Sequence, residues 1–318
     1  MREFTIHKND AGQRLDRFLQ KAVPLLPASL AQKYIRLKRI KVNGARAERD
    51  YRLREGDALQ FYINDEFFEA PSEENVHLTI AVPRLHIIYE DENILLLDKP
   101  VGMVVHADEG EKVNTLVNHM LAYLYQKREW RPREENAFTP ALCNRIDRNT
   151  GGIVIAAKNA EALRILNEKI RARELSKFYL CVCLGRPEPP KGRIECFLRK
   201  DERTNTVRVY HHPVPDGRSA VTLYETLETR DRLSLVEVEL LTGRTHQIRA
   251  SFADLGHPLL GDGKYGVGSV NRRCGETQQL LYSYRLRFDF PTDAGILSYL
   301  RGREFIADEV PFRRKYFG

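Results

Sequence analysis

Residues 144–157 read Asn-Arg-Ile-Asp-Arg-Asn-Thr-Gly-Gly-Ile-Val-Ile-Ala-Ala, or NRIDRNTGGIVIAA. The segment runs from a polar, loop-like stretch through paired glycines into an apolar strand, which sets Asp147 at the mouth of that strand. Read alone, an aspartate ahead of Asn-Thr-Gly-Gly is a turn or cap residue. Its neighbours allow a second reading. Arg145 and Arg148 would hold the carboxylate ionised, and Gly151 and Gly152 would let a backbone or a ligand come close, as a nucleophile or an electrostatic stabiliser requires.

Outward from this stretch, strand patterns dominate from about Leu85. IIYEDENILLLDKP (87–100) predicts two strands joined by an Asp-Glu-Asn turn and broken at Lys99-Pro100-Val101-Gly102. FYLCVCLG (178–185), AVTLYETL (220–227) and SLVEVELL (234–241) alternate. Helical spacing predicts helices over Val113–Tyr125 and over Ala160–Ile170, the latter behind an Asn159 cap. The order of elements predicts a mixed α+β fold with a largely antiparallel sheet. Arg199–Asp216 and Val267–Gln278 read as polar surface excursions, and the His211-His212 pair and the other histidines as loop residues.

The chain has 318 residues and is 42% apolar, enough for a full core and two domains. No run nears the ~18 apolar residues of a membrane span. The polar start MREFTIHKND does not read as a signal peptide, and the expectation is a cytoplasmic monomer that engages no membrane. Five cysteines, an odd number beginning at Cys143, suit a reducing compartment and read as buried thiols, with no zinc site from Cys181 and Cys183 alone.

Charge is uneven. Residues 1–64 carry 14 Lys+Arg against 7 Asp+Glu, which is the whole of the formal +7. A basic segment on a neutral body points to a polyanion partner, or to a solvated surface. Within it, Leu15, Phe18, Leu19 and Ala22 predict one helix. A second fits Pro27 to Arg39, with Leu30, Tyr34 and Leu37 on its apolar face and Lys33, Arg36, Lys38 and Arg39 around it. IKVNG and REGDALQFYI predict short strands at tight turns. This order resembles the S-four-like RNA-binding domain over about residues 12–63, through Arg14-Leu15-Asp16, the basic helix, Val42-Asn43-Gly44 and Glu55-Gly56-Asp57. The resemblance implies that Lys33, Arg36, Lys38 and Arg39 lie against RNA backbone. Pro27-Ala28-Ser29-Leu30 stands where such domains often carry a Ser-Arg pair. The expected domains are 1–66, a linker over 67–84 that can form one strand at VHLTIAV (76–82), and 85–318.

Two more candidates lie in the body. Arg249 sits beside the helical stripe Ile248, Phe252 and Leu255, ended by Gly256 and Pro258. If partly buried it needs an anion, such as Asp147, although reaching solvent or Asp254 is the ordinary behaviour. Tyr179 shares a strand face with Cys181 and Cys183, where tyrosines ordinarily pack.

Taken in order, these pieces resemble the RluA-type pseudouridine synthases, which isomerise uridine in ribosomal or transfer RNA. The resemblance covers about residues 85–310. It rests on Lys99-Pro100-Val101-Gly102 with His106, Asn144-Arg145-Ile146-Asp147, Lys177-Phe178-Tyr179, Ala220-Val221-Thr222, Leu241 to Arg249, His257 to Asp262, and Lys264-Tyr265-Gly266. It implies that Asp147 acts on ribose C1′ or stabilises charge there, that Arg249 pairs with Asp147, and that Tyr179 stacks on the uracil with a base role open to it. It further implies that Arg145 fills the space of a flipped nucleotide and that Leu281 walls the base. No metal or redox cofactor is implied. The implied partner is RNA, ribosomal in preference to transfer. Three positions depart from the family pattern: Asn144 for histidine, Gly151 for serine, and Tyr282-Ser283 for His-Ala. The alternatives are a non-catalytic RNA-binding or ribosome assembly protein of the same fold, and a glycoside hydrolase, which the missing second carboxylate disfavours.

Overall fold

A computed structural model describes residues 1–23, 26, 28–63, 65–68, 77, 80, 82–131 and 137–318. Pro27 and most of the strand expected at residues 76–82 lie outside the described residues. The chain forms two compact units, residues 1–84 with 117–141 and 157–164, and residues 85–116, 142–156 and 165–318. Among the described residues no helix is long and apolar enough to cross a membrane.

The first unit begins with β1 (Arg2–Thr5), α1 (Leu15–Ala22), α2 (Ala28–Arg36), β2 (Ile40–Val42), β3 (Ala45–Arg46) and β4 (Ala58–Phe61). The strands form one sheet in the order β1-β4-β2-β3. Leu15, Phe18 and Leu19 of α1 and Ile35 of α2 are buried with Ile40, Leu59 and Phe61. The second helix is shorter than its sequence predicts. Lys38 adopts the left-handed region at φ 59, and the Lys38 and Arg39 amides donate to the Ile35 and Tyr34 carbonyls at 3.0 and 2.9 Å. That closure ends the helix at Arg36 and leaves Leu37 51% exposed rather than buried. Asn43 and Gly44, at φ 51 and 75, make the tight turn from β2 to β3. The Asp57 carboxylate braces that turn, accepting from Asn43 Nδ2 at 2.8 Å, the Arg54 amide at 2.8 Å and the Tyr51 hydroxyl at 3.1 Å. Burial opposes ionisation of Asp57, but these donors hold its carboxyl below the usual range.

The rest of the chain adds β5 (Ile87–Glu90), β6 (Ile94–Lys99), α3 (Leu116–Gln126), β7 (Ala141–Leu142), β8 (Gly151–Ala157), α4 (Ala160–Ala172) and β9 (Leu175–Leu184). Then come β10 (Lys191–Asp201), β11 (Thr206–Tyr210), β12 (Arg218–Arg230), β13 (Leu233–Leu240), α5 (Gln247–Asp254), α6 (Gly268–Cys274), β14 (Leu281–Phe288), β15 (Glu304–Ile306) and α7 (Pro311–Phe317). One sheet runs β11-β10-β12-β13-β9-β14-β8-β6-β5, with β15 on β14 and β7 on β8. Pairs from β11 to β14 are antiparallel, and β8 runs parallel to β14. The mixed, largely antiparallel α+β architecture read from the sequence is the one observed.

Three local expectations change. Residues 178–183 of β9 are buried on both faces because the strand is central, so its alternation marks two covered surfaces instead of one. Half of Arg199–Asp216 is regular: β10 ends at Asp201 and pairs with β11, a strand whose polar outer face hid it in the sequence. Within Val267–Gln278, Gly268–Cys274 is helical.

The paired glycines after Asp147 bring two strands together. Tyr282 lies opposite Gly151 and Ser283 opposite Gly152. A Cβ on Gly151 would stand 2.4 Å from the Tyr282 ring, and one on Gly152, at φ 109, would stand 2.1 Å from the Ser283 carbonyl oxygen. The Gly152→Ala variant is therefore expected to lose about 3 kcal/mol or more of unfolding free energy. Urea denaturation measures it, and a wild-type midpoint would contradict the pairing.

Candidate active site

Asp147 lies in the loop between β7 and β8. Its side chain is 30% exposed, and its Oδ2 accepts from Arg249 Nη1 at 2.9 Å. Arg249 projects from α5 and is 6% exposed along its side chain. Its Nε and Nη2 take the two oxygens of Asp262 at 2.7 and 2.9 Å. Asp262, 0% exposed, also accepts from the Lys264 and Tyr265 amides at 2.8 and 3.0 Å. The planar guanidinium is thus oriented side-on by one carboxylate so that its remaining edge faces the other, a task the point charge of a lysine does not perform. Burial opposes charge on both groups. The mutual hydrogen bonds nevertheless keep Asp262 below the usual carboxylate range and raise Arg249.

His246 enters α5 in the left-handed region, at φ 51. Its Nε2 lies 3.8 Å from Asp147 Oδ2, and its Nδ1 lies 2.8 Å from the Tyr265 hydroxyl. The Tyr265 oxygen already accepts the Val207 amide at 2.7 Å, so its own proton is free for Nδ1. With a carboxylate facing Nε2, the favoured tautomer carries its proton there and donates toward Asp147. Burial, helped by Arg249 and Lys264, overrides the opposing pull of Asp147 and Asp262 and brings His246 down to about 4, so the ring is neutral at pH 7. Arg249 alone hydrogen-bonds Oδ2, with His246 facing the same oxygen from beyond hydrogen-bond distance. Among the described residues Oδ1 of Asp147 has no hydrogen-bond partner.

The loop itself is pinned from beneath. Lys99, fully buried at the end of β6, donates to the carbonyls of Pro100, Met103 and Arg148 at 2.9, 2.7 and 3.0 Å. The Gly102 amide reaches the same Arg148 carbonyl at 2.9 Å. Burial pushes the Lys99 ammonium down to about 7, against the pull of Asp147 and Asp98.

The other expected site residues divide. Tyr179 of β9 and Leu281 of β14 are buried in one cluster with Ile248 and Phe252, against which Ile146 packs. Burial pushes the Tyr179 phenol up to about 12, so at neutral pH it rests as a neutral ring. Arg145 is exposed and makes no ion pair among the described residues, and Arg148 turns to Asp108 at 2.7 Å. Neither arginine beside Asp147 in sequence holds its carboxylate. Lys33, Arg36, Lys38 and Arg39 are all exposed in the first unit, with Arg39 over the Tyr34 ring at 5.5 Å.

Each departure from the family pattern has a local partner. The Asn144 side-chain oxygen accepts the Ile155 amide at 2.8 Å. Tyr282 fills the space that a side chain at 151 would need, and its hydroxyl donates to Asp98 at 2.7 Å. Among the described residues, no group of three His, Cys, Asp or Glu side chains could hold a metal ion.

A family model described as RNA pseudouridylate synthase matches residues 93–254, and one for the S4 domain matches residues 13–59. The chain is 32% identical over 289 residues to an uncharacterized RNA pseudouridine synthase of Mycoplasma genitalium, covering 90% of this chain and 88% of that protein. It is 30% identical over 293 residues to the ribosomal large subunit pseudouridine synthase C of Vibrio parahaemolyticus, covering 91% and 88%. Among solved structures, human RNA pseudouridylate synthase domain containing 4 superposes with a TM-score of 0.56 at 20% identity, covering 75% of this chain and 94% of that one, a likeness of fold.

Loss of Arg249 would strand a buried carboxylate. Arg249→Gln is expected to cost about 3–5 kcal/mol. In the wild type the depressed Asp262 contributes stability present at neutral pH and lost as pH falls through its folded pKa. Without its cation the buried acid shifts upward, so the sign reverses and the deficit of the variant should widen as pH rises from about 4 to 7. Guanidinium denaturation across that range checks it, and a deficit independent of pH would contradict the pairing.

Proposed function

The chain belongs to the RNA pseudouridylate synthase family, and on that premise we propose that it isomerises uridine to pseudouridine in RNA, with ribosomal RNA preferred over transfer RNA. The observation that carries the reading is the state of the Asp147 carboxylate, whose Oδ2 is engaged by Arg249 while Oδ1 makes no hydrogen bond among the described residues. Arg249 keeps the group anionic, and Asp262 and His246 keep it aimed. Oδ1 is then the oxygen presented to ribose C1′ as the bond to N1 of uracil breaks. The freed uracil turns, C5 bonds to C1′, C5 loses its proton and N1 gains one, with no net oxidation.

Tyr179 and Leu281 supply the apolar walls for the base, and the neutral phenol suits stacking. Arg145, exposed and without an ion pair among the described residues, occupies the gap left in the RNA when the nucleotide turns out. Lys33, Arg36, Lys38 and Arg39 of an RNA-binding domain at residues 1–66 hold backbone phosphates, joined through residues 67–84 to a catalytic domain at 85–318. The protein acts as a cytoplasmic monomer.

Asp147→Asn is nearly isosteric, so it should abolish pseudouridine formation in RNA incubated with purified protein while leaving RNA affinity intact. Turnover by that variant would refute the assignment. Replacing Lys33, Arg36, Lys38 and Arg39 together by Gln should weaken RNA binding and flatten its salt dependence by about 0.7–0.9 in log-log slope per lost contact. An unchanged slope would remove this surface from the RNA path.

A further inference from the structure

A second basic feature lies in the catalytic unit, at one end of the large sheet. Leu240 of β13 pairs with Thr222 of β12, and Glu239 of β13 pairs with Phe178 of β9. Continuing the β12–β13 register past the strand end sets Arg244 opposite Arg218, while Arg173, in the left-handed turn at φ 62 between α4 and β9, lies near enough for its charge to act on Arg244. Arg244 Nε donates to the carbonyl of Ser219, next to Arg218, at 3.1 Å. Arg218 shares its strand face with Ala220 and Thr222, and Thr222 accepts from Gln247 Nε2 of α5 at 2.9 Å. The group therefore opens on the face that carries α5 and the Arg249–Asp147 pair, and Arg244 stands two residues ahead of His246.

These arginines differ from others on the sheet. Arg193, Arg230 and Arg287 each hold a neighbouring acid, Glu195, Glu228 and Asp289. Among the described residues Arg173, Arg218 and Arg244 have no carboxylate partner. Burial, then Arg218 and Arg173, depress Arg244, the behaviour of cations crowded together without an anion. Three cations grouped in this way, with no acid among them, suit successive phosphates of one nucleic-acid strand.

We propose that Arg173, Arg218 and Arg244 form a phosphate-binding track for the RNA strand that flanks the uridine delivered to Asp147. It rests on the RNA-modifying function proposed above and adds the backbone contacts that fix the strand's course into the site. Such contacts give affinity and register and no choice of base.

The test measures binding of the full-length protein to a fluorescein-labelled oligouridylate by anisotropy across a KCl titration. Arg173→Gln and Arg218→Gln are each expected to reduce the log-log salt slope by about 0.7, and together by about 1.4. Arg218→Lys, which keeps the charge, should keep the slope. Arg193→Gln, whose charge Glu195 already neutralises, should leave it unchanged. A wild-type slope in the double variant, or equal losses from Arg193→Gln, would overturn the track. Pseudouridine formation by the wild type on cellular RNA is read separately. Its absence would strike the isomerase reading, while the slopes judge the track alone.

Discussion

The catalytic unit depends on one guanidinium shared by two acids. Arg249 lies deep enough that, without partners, its charge would cost several kcal/mol to bury. Asp262 is more deeply buried still and could not remain ionised alone. Each makes the other tolerable, and the bidentate geometry has a directional result: it leaves one N–H edge to point at Asp147. An aspartate in a loop, 30% exposed, thereby gains the fixed aim that loops seldom provide.

The sheet delivers the other parts to the same place. The β9 strand carries Tyr179 at its centre, and β14 brings Leu281 beside it through the antiparallel pairing of Leu281 with Cys181. The β6 strand ends at Lys99, whose three carbonyl contacts tie the Asp147 loop to the strand end. Rigid strands and one short helix thus supply the precision, and the loop contributes Asp147, the group proposed to react. At the end of the same sheet Arg244 is tied to the strand that carries Arg218, so one scaffold can set both the chemistry and, as proposed, the path of a charged substrate.

How far this was legible in the sequence differs from residue to residue. Helix α1 and the β5–β6 hairpin followed from spacing and turn residues, because local packing decides them. The end of α2 did not, since Lys38 closes the helix in a conformation usually left to glycine. Asp147 stood out by its setting, yet the arginines next to it proved irrelevant to its charge, and its actual partner lies 102 positions away. Asp262 and His246 lie inside stretches that carry the family resemblance, yet neither stands out by its own spacing. Weak signals existed for both. His246 and Arg249 are three residues apart on one helical face, and Asp262 precedes Lys264-Tyr265-Gly266 in the manner of an Asx turn, but a turn aspartate and a buried counter-ion look alike until the chain folds.

The contact between Gly151 and the Tyr282 ring has a consequence for how this sequence can drift. With the ring 2.4 Å from any Cβ at 151, a serine there is excluded for as long as the tyrosine remains. Replacing Tyr282 alone would open a void and remove the hydroxyl that donates to Asp98. The two positions are therefore coupled through one volume, and a side chain at 151 calls for a smaller residue at 282 in the same molecule.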